Sequence, residues 1–299
     1  MSESKGFLEQ NHFLIRRLHS LTGLVPIGVF LAVHLVTNSS LAWGRFGLRG
    51  KGEGLSVAEG GVKYFQHEVT WINNEVPHLI LIEITLWVSI AFHSILGFYY
   101  ATTGKRNTDR YAFQDNWRYT LQRWSGYIGV LFIFYHVATL RWGWDFLIPG
   151  GTTWSHSFSA STLAAAIQGS PEGWTFMGVL VSLLYFTGVT LLVYHFANGL
   201  WTMAITWGVT ITEQAQRRWG YACAGLGTAL MLAGWSSLAA TLLLDYDEAH
   251  QVEKNMFVED YGEDAYREYI EKKGIPATAT PETPAVAGDN PAETDSADG

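Results

Sequence analysis

Five stretches of the chain stay apolar long enough to cross a hydrocarbon core about 30 Å thick, which takes roughly 20 helical residues. They run 21–43, 77–102, 121–142, 176–204 and 221–244, and the chain between them turns polar or glycine-rich. The pattern predicts an all-α membrane protein, five transmembrane helices in one bundle. Glycine and proline inside these runs do not overrule a helix, because neighbouring spans satisfy freed backbone groups in lipid. The predicted organisation is an N-terminal segment 1–20, a membrane domain 21–244 and an acidic, partly disordered tail 245–299. The first run is too long for a signal-peptide core and lacks a small-residue cleavage site, so it reads as an anchor. The connections 44–76 and 143–175 read as glycine-rich polar loops, with a short interfacial helix near Thr162–Gln168. Residues 255–273 have the pattern of a charged amphipathic helix, and the Pro, Ala, Thr and Glu composition after Gly274 predicts disorder.

Composition supports the membrane reading once the charges are located. Of 299 residues, 48% are hydrophobic and only 15% charged, too sparse a charge for an ordinary soluble domain. The low mean hydropathy of +0.09 comes from the tail. From Asp245 onward, 15 carboxylates face Lys254, Arg267, Lys272 and Lys273, a net −11 that leaves +3 for the body out of a total of −8. Basic residues are too dispersed for a nucleic-acid surface. The single cysteine, Cys223, excludes an intrachain disulfide framework, a multi-cysteine zinc site and a cysteine-ligated iron–sulfur cluster. No C-x-x-C-H run or phosphate-cradling G-x-x-x-x-G-K motif is present.

Charge also orients the spans. Arg16 and Arg17 precede the first, Lys105, Arg106, Arg110, Arg118 and Arg123 cluster around the second connection, and Arg217 and Arg218 occupy the fourth. The opposite connections hold Arg45, Arg49, Lys51, Lys63 and Arg141 beside six carboxylates. The positive-inside rule puts the N-terminus in the cytoplasm and the C-terminus outside.

The candidate chemistry lies in four histidines, His34, His93, His136 and His195, one in each of the first four spans. At 1.5 Å per residue, His34 lies roughly 13 Å below Trp43 and His136 roughly 9 Å below Trp142, both near the outer side. Spans two and four run the other way, so His93 lies about 24 Å from Pro77 and His195 about 30 Å from Trp174, both near the inner side. A single such histidine is as readily a hydrogen-bonding group between helices as a ligand. Four at two matched depths point to ligation, because two facing imidazoles fill both axial positions of a haem iron. His34 with His136 are the expected iron ligands of an outer haem, and His93 with His195 those of an inner one. His12, His67, His156 and His250 fall outside the spans and call for no special role.

A macrocycle beside a helix needs a small residue on the ligand's face, and positions seven apart share a face. Gly129 and Gly188 each precede a histidine by seven residues and are the candidates for haem packing, with ordinary small-residue helix packing as the alternative. Gly28 and Gly97 are the nearest glycines to His34 and His93. His19, Ser20 and Arg123 are candidates for the haem propionate environment on the inner side. Glu83, a carboxylate inside the second span, is a functional candidate by position, for proton transfer to a quinone. Glu75 and His78 lie near it at the solvent edge.

The runs Arg16–Pro26 (RRLHSLTGLVP), Ala91–Tyr99 (AFHSILGFY), Leu121–Gly126 (LQRWSG), His195–Trp201 (HFANGLW) and Thr206–Thr210 (TWGVT), in this order around the four histidines, resemble one known family. It is the dihaem cytochrome b membrane-anchor subunit of type B succinate:quinone oxidoreductases, the cytochrome b558 subunit of succinate dehydrogenase or fumarate reductase. The likeness covers residues 11 to 218. It implies two haem b groups in a five-helix bundle of the cytoplasmic membrane. A flavoprotein subunit and an iron–sulfur subunit would dock on the cytoplasmic face and carry out the dicarboxylate chemistry. This chain would relay electrons to a quinone, menaquinone in most of the family. The tail after Leu244 and the glycine-rich first outer loop are longer than the family pattern. Alternatives at this stage are the same relay reversed in a quinol:fumarate reductase, a dihaem cytochrome b of another dehydrogenase, and a haem-free transporter or assembly protein.

Overall fold

A computed structural model describes residues 10–48, 50–51, 53–103 and 116–277. Lys105, Arg106, Arg110, Arg49 and the tail 278–299, for which disorder is expected, lie outside the described residues. The described chain is helical throughout apart from turns and one isolated bridge between Ser155 and Phe158. We number the helices α1 His12–Gly47, α2 Val57–Glu75, α3 Leu79–Thr103, α4 Asn116–Leu140, α5 Ser159–Gln168, α6 Phe176–Thr206, α7 Glu213–Leu243, α8 Tyr246–Tyr261 and α9 Glu263–Lys273.

Among the described residues, α1, α3, α6 and α7 are long and apolar enough to cross a membrane, four helices where the hydropathy pattern predicts five spans. The expected span 121–142 is the helix α4. At 25 residues it is as long as α3, but Arg118, Gln122 and Arg123 make its first turns polar. Helices α1, α6 and α7 are longer than their predicted spans, and α3 keeps to its own within two residues. The first begins at His12 instead of residue 21, so Arg16, Arg17, His19 and Ser20 stand on the helix.

Within α1, residues Gly23–Gly28 widen into a π-helical turn around Pro26. Proline has no N–H to offer the carbonyl one turn back, and the wider ladder accommodates its ring. The expanded turn carries Gly23 and Gly28 against α3 and α6.

The two long connections are not the polar loops that their glycine content suggests. Residues 57–75 form α2, which doubles back along the end of α1. A reciprocal cap starts it: Ser56 Oγ accepts from the Glu59 N–H at 3.0 Å, and Glu59 Oε2 accepts from the Ser56 N–H at 2.6 Å. Val62, Phe65 and Val69 recur on one helical face and are buried. Gly61 permits the approach, since a Cβ there would lie 2.1 Å from the Leu41 carbonyl oxygen. The second connection contains α5, and all ten of its residues are buried. It is therefore an internal helix and not an interfacial one.

The tail also packs, where a charged amphipathic helix is expected over 255–273. In place of one helix over 255–273 there are two, broken at Gly262 with φ 89°, in the left-handed region glycine favours. Beyond Gly274, Ile275 is buried and the Pro276 carbonyl accepts from Tyr246 Oη at 2.9 Å. Helices α2, α5 and α8 form a layer over one end of the bundle. Gln168 ties that layer down: its Nε2 donates to the Thr241 and Leu244 carbonyls at 3.0 and 2.8 Å, satisfying the end of α7.

Candidate functional site

The four intramembrane histidines converge in two pairs. His34 of α1 and His136 of α4 have ring centres 5.7 Å apart, and His93 of α3 and His195 of α6 have theirs 6.0 Å apart, with ring planes near perpendicular at 81° in both cases. The pairing matches the one predicted from depth. Helix α1 passes both pairs, with His19 against His93 and His34 against His136. Those α1 positions are 15 residues apart, so the pairs lie at levels separated by roughly 20 Å.

Each imidazole is held through Nδ1. His93 Nδ1–H donates to the His19 carbonyl at 2.9 Å. His195 Nδ1–H donates to the Gln122 carbonyl at 3.0 Å, with Ser125 Oγ at 3.2 Å. His136 Nδ1 meets Tyr185 Oη at 3.3 Å, and His34 Nδ1 meets the Asn38 amide at 3.4 Å. Among the described residues none of the four Nε2 atoms has a hydrogen-bond partner. At His93 and His195, where Nδ1 donates to a carbonyl, Nε2 keeps its lone pair, the arrangement that orients a metal-ligating histidine; His34 Nδ1 instead faces the Asn38 Nδ2 donor.

All four rings line a single cavity of about 1550 Å³ enclosed chiefly by α1, α3, α4 and α6, with Leu31, Ile90, Val130 and Leu192 among its apolar walls. Ligand sites ordinarily span ~300–1,000 Å³, so this space exceeds one such site. Two imidazoles ligating one ion from opposite faces at about 2 Å place their ring centres roughly 6 Å apart. The donor set, ring spacing and apolar walls fit a haem at each pair. Among the described residues, there is no cluster of three or more His, Cys, Asp or Glu able to hold a bare metal ion.

Over 229 residues the chain is 31% identical to the succinate dehydrogenase cytochrome b558 subunit of Bacillus subtilis (strain 168), a match covering 76% of this chain and 96% of that protein. The chain belongs to the cytochrome b558 family. No family profile and no solved structure matches it.

The remaining candidates in this cytochrome b558 chain fall in several places. His19 stacks on His93 with centres 4.1 Å apart and planes 9° apart, and its buried Nε2 has no partner. Ser20 Oγ accepts from Trp207 Nε1 and donates to the Arg17 carbonyl, each at 2.9 Å. Arg123 lies over the Tyr119 ring, hydrogen-bonded to its hydroxyl. All three line the cavity, as do Glu83 and Gly126. Glu83 accepts from Arg141 Nη2 at 2.6 Å, an ion pair from α3 to the end of α4 that hydropathy alone does not reveal. Glu75 stays exposed, and His78 adopts φ 59° in the turn before α3.

Gly129 and Gly188, the candidates for haem packing, each lie against a side chain of the facing helix. A Cβ on Gly129 would meet Leu192 Cδ2 at 2.6 Å, and one on Gly188 would meet the Phe132 ring at 2.3 Å. The glycines against the imidazoles are others. A Cβ on Gly23 would reach His93 Cε1 at 2.4 Å, and one on Gly126 would reach His195 Cε1 at 3.1 Å. A seven-residue rule within one helix cannot find them, because each touches a histidine of a different helix. Outside the membrane-spanning segments, His250 is fully buried with Nε2 at 2.9 Å from Tyr266 Oη, and burial lowers its pKa to about 4. His156 is lowered as well, first by burial and then by Lys273.

Proposed function

We propose that this multi-pass membrane protein is the dihaem membrane-anchor cytochrome b of a succinate dehydrogenase. Its role is to relay electrons from the iron–sulfur subunit to a quinone. Family membership supports the anchor role in that oxidoreductase complex. The observation carrying the dihaem reading is the presence of two histidine pairs, with ring centres 5.7 and 6.0 Å apart, along one apolar cavity. His34 and His136 hold the outer iron, and His93 and His195 the inner one. Bound haem b supplies reversible one-electron chemistry at potentials set by its surroundings. The chain's own residues do the rest. The His19 and Gln122 carbonyls fix two rings and enrich their electron density, and the aliphatic walls keep water from the ligands.

Further parts of the reading follow the charge pattern and the family. Five helices, α4 included, span the cytoplasmic membrane with the N-terminus inside, and the flavoprotein and iron–sulfur subunits dock on the inner face. His19, Ser20 and Arg123 face the propionates there. Glu83, paired with Arg141 on the cavity wall, exchanges protons for the quinone, menaquinone in our reading. With haem bound at both levels, electron transfer from the inner to the outer one would move charge across the membrane, at about 2.3 kcal/mol per elementary charge for each 100 mV.

The test is a dithionite-reduced minus oxidised spectrum of the purified complex, with two b-type haems expected per chain. His34→Ala or His136→Ala should remove one haem signal, and His93→Ala or His195→Ala the other. A complex without b-type bands, or loss of the signals in other combinations, overturns the proposal.

A further inference from the structure

The buried Glu253 has no part in the function above. It lies on α8, in the acidic tail, yet is completely buried. Its Oε1 accepts from the Ala160 N–H at 2.6 Å, and its Oε2 accepts from the Ser161 N–H at 3.3 Å and from Ser161 Oγ at 2.5 Å. These are the first turn of α5, where backbone N–H groups lack intrahelical partners and a side-chain oxygen can accept from them. Phe158, immediately before α5, is also fully buried and is enclosed by His250, Phe257, Tyr266 and Tyr269 from α8 and α9. The tail thus grips the start of α5 by a carboxylate and an aromatic box.

What α5 does next gives that grip a consequence. Leu163 and Ile167 of α5 line the haem cavity. They belong to one contiguous core running from Ala249 on α8, through Ala160 and Ala164, to Tyr185 and Phe132. Tyr185 is the Nδ1 partner of His136, and Phe132 stacks on the same imidazole at 5.8 Å. The groups that hold the other pair, the His19 and Gln122 carbonyls and Ser125 Oγ, belong to the level roughly 20 Å away along α1. About a quarter of this chain also falls outside its match to the Bacillus relative, whereas nearly all of that relative is matched.

We infer that α8 and α9 clamp α5 as a roof over the His34–His136 haem site, with Glu253 as the positioning residue that seats α5. The inference rests on the dihaem reading. Loosening the clamp lets α5 shift, slackens the packing behind His136 and exposes that iron to exchange of its axial ligand. The His93–His195 site is insulated by distance and by a separate set of contacts.

The experiment uses the whole membrane complex, reduced with dithionite and exposed to carbon monoxide, which binds a haem only when an axial ligand yields. In Glu253→Ala the carbon monoxide-reactive fraction should rise several-fold, confined to the haem signal that His136→Ala removes. Glu253→Gln, which keeps an acceptor oxygen, should restore most of the resistance. Ser161→Ala, which removes one donor and leaves the helix intact, should give a smaller change at the same haem. It serves as the readout if Glu253→Ala does not assemble. Equal reactivity of both haems, or resistance unchanged in Ser161→Ala and Glu253→Ala, overturns the clamp. Absence of b-type haem in the unsubstituted complex overturns the dihaem reading instead.

Discussion

Replacing Gly23 by alanine sets two effects against each other, and the structure decides which dominates. Alanine is the better helix former by about 0.8–1 kcal/mol, so helix propensity alone predicts a gain in stability. The new methyl, however, lands 2.4 Å from His93 Cε1 and 2.8 Å from Nδ1, far inside van der Waals contact. The His93 ring cannot swing away freely. Its Nδ1–H is bonded to the His19 carbonyl at 2.9 Å and its face is stacked on His19 at 4.1 Å. Overpacking of this kind costs about 1–3 kcal/mol, and losing the Nδ1 bond removes about 1 kcal/mol more. Disturbing such an outer partner of a metal-ligating histidine ordinarily lowers metal affinity by roughly 10–100-fold. The expected outcome is loss or weakened retention of the haem at His93–His195, with the haem at His34–His136 retained. The assay is haem stoichiometry by pyridine haemochrome, together with a redox titration that resolves the two centres. Gly129→Ala is the control, because its methyl meets Leu192 Cδ2, the end of a flexible side chain, and should leave both haems in place. Full stoichiometry and unchanged midpoints for both haems in Gly23→Ala would refute the reasoning.

Three further outcomes follow from the same geometry. Tyr185→Phe deletes the hydroxyl 3.3 Å from His136 Nδ1 and should shift the midpoint of the His34–His136 haem alone; a redox titration that leaves it unmoved counts against Tyr185 as its tuning partner. Gln168→Leu removes the amide that satisfies the Thr241 and Leu244 carbonyls, leaving buried acceptors unpaired at about 1–3 kcal/mol each, and should lower the thermal midpoint of the complex. Burial pushes the Glu253 carboxyl up to about 7, against the three hydrogen bonds that lower it. Its contribution to docking the tail is therefore complete below the unfolded value of about 4.3 and is lost as pH rises through 7. Thermal stability should fall as pH rises from about 4.3 to about 7 in the native chain, and less so in Glu253→Gln.

The sequence by itself determined the long apolar helices and the depth of each histidine along them, because hydropathy and a rise of 1.5 Å per residue are local properties of the chain. It determined family membership through runs such as HFANGLW, which carry their information in order and spacing. It also contained the Ser56–Glu59 cap, but the glycines around it masked the helix that follows. Tertiary structure alone decided which atoms grip each imidazole. The His19 and Gln122 carbonyls are 74 and 73 residues from the rings they hold, and backbone acceptors have no sequence signature. Structure alone placed Gly23 and Gly126 against the imidazoles of other helices, because contacts between helices depend on rotation about their axes. It likewise decided that Glu253, in the acidic tail, is buried against a helix 93 residues earlier. Burial of a charge is set by what folds over it, and that partner lies too far along the chain for any local pattern to reveal.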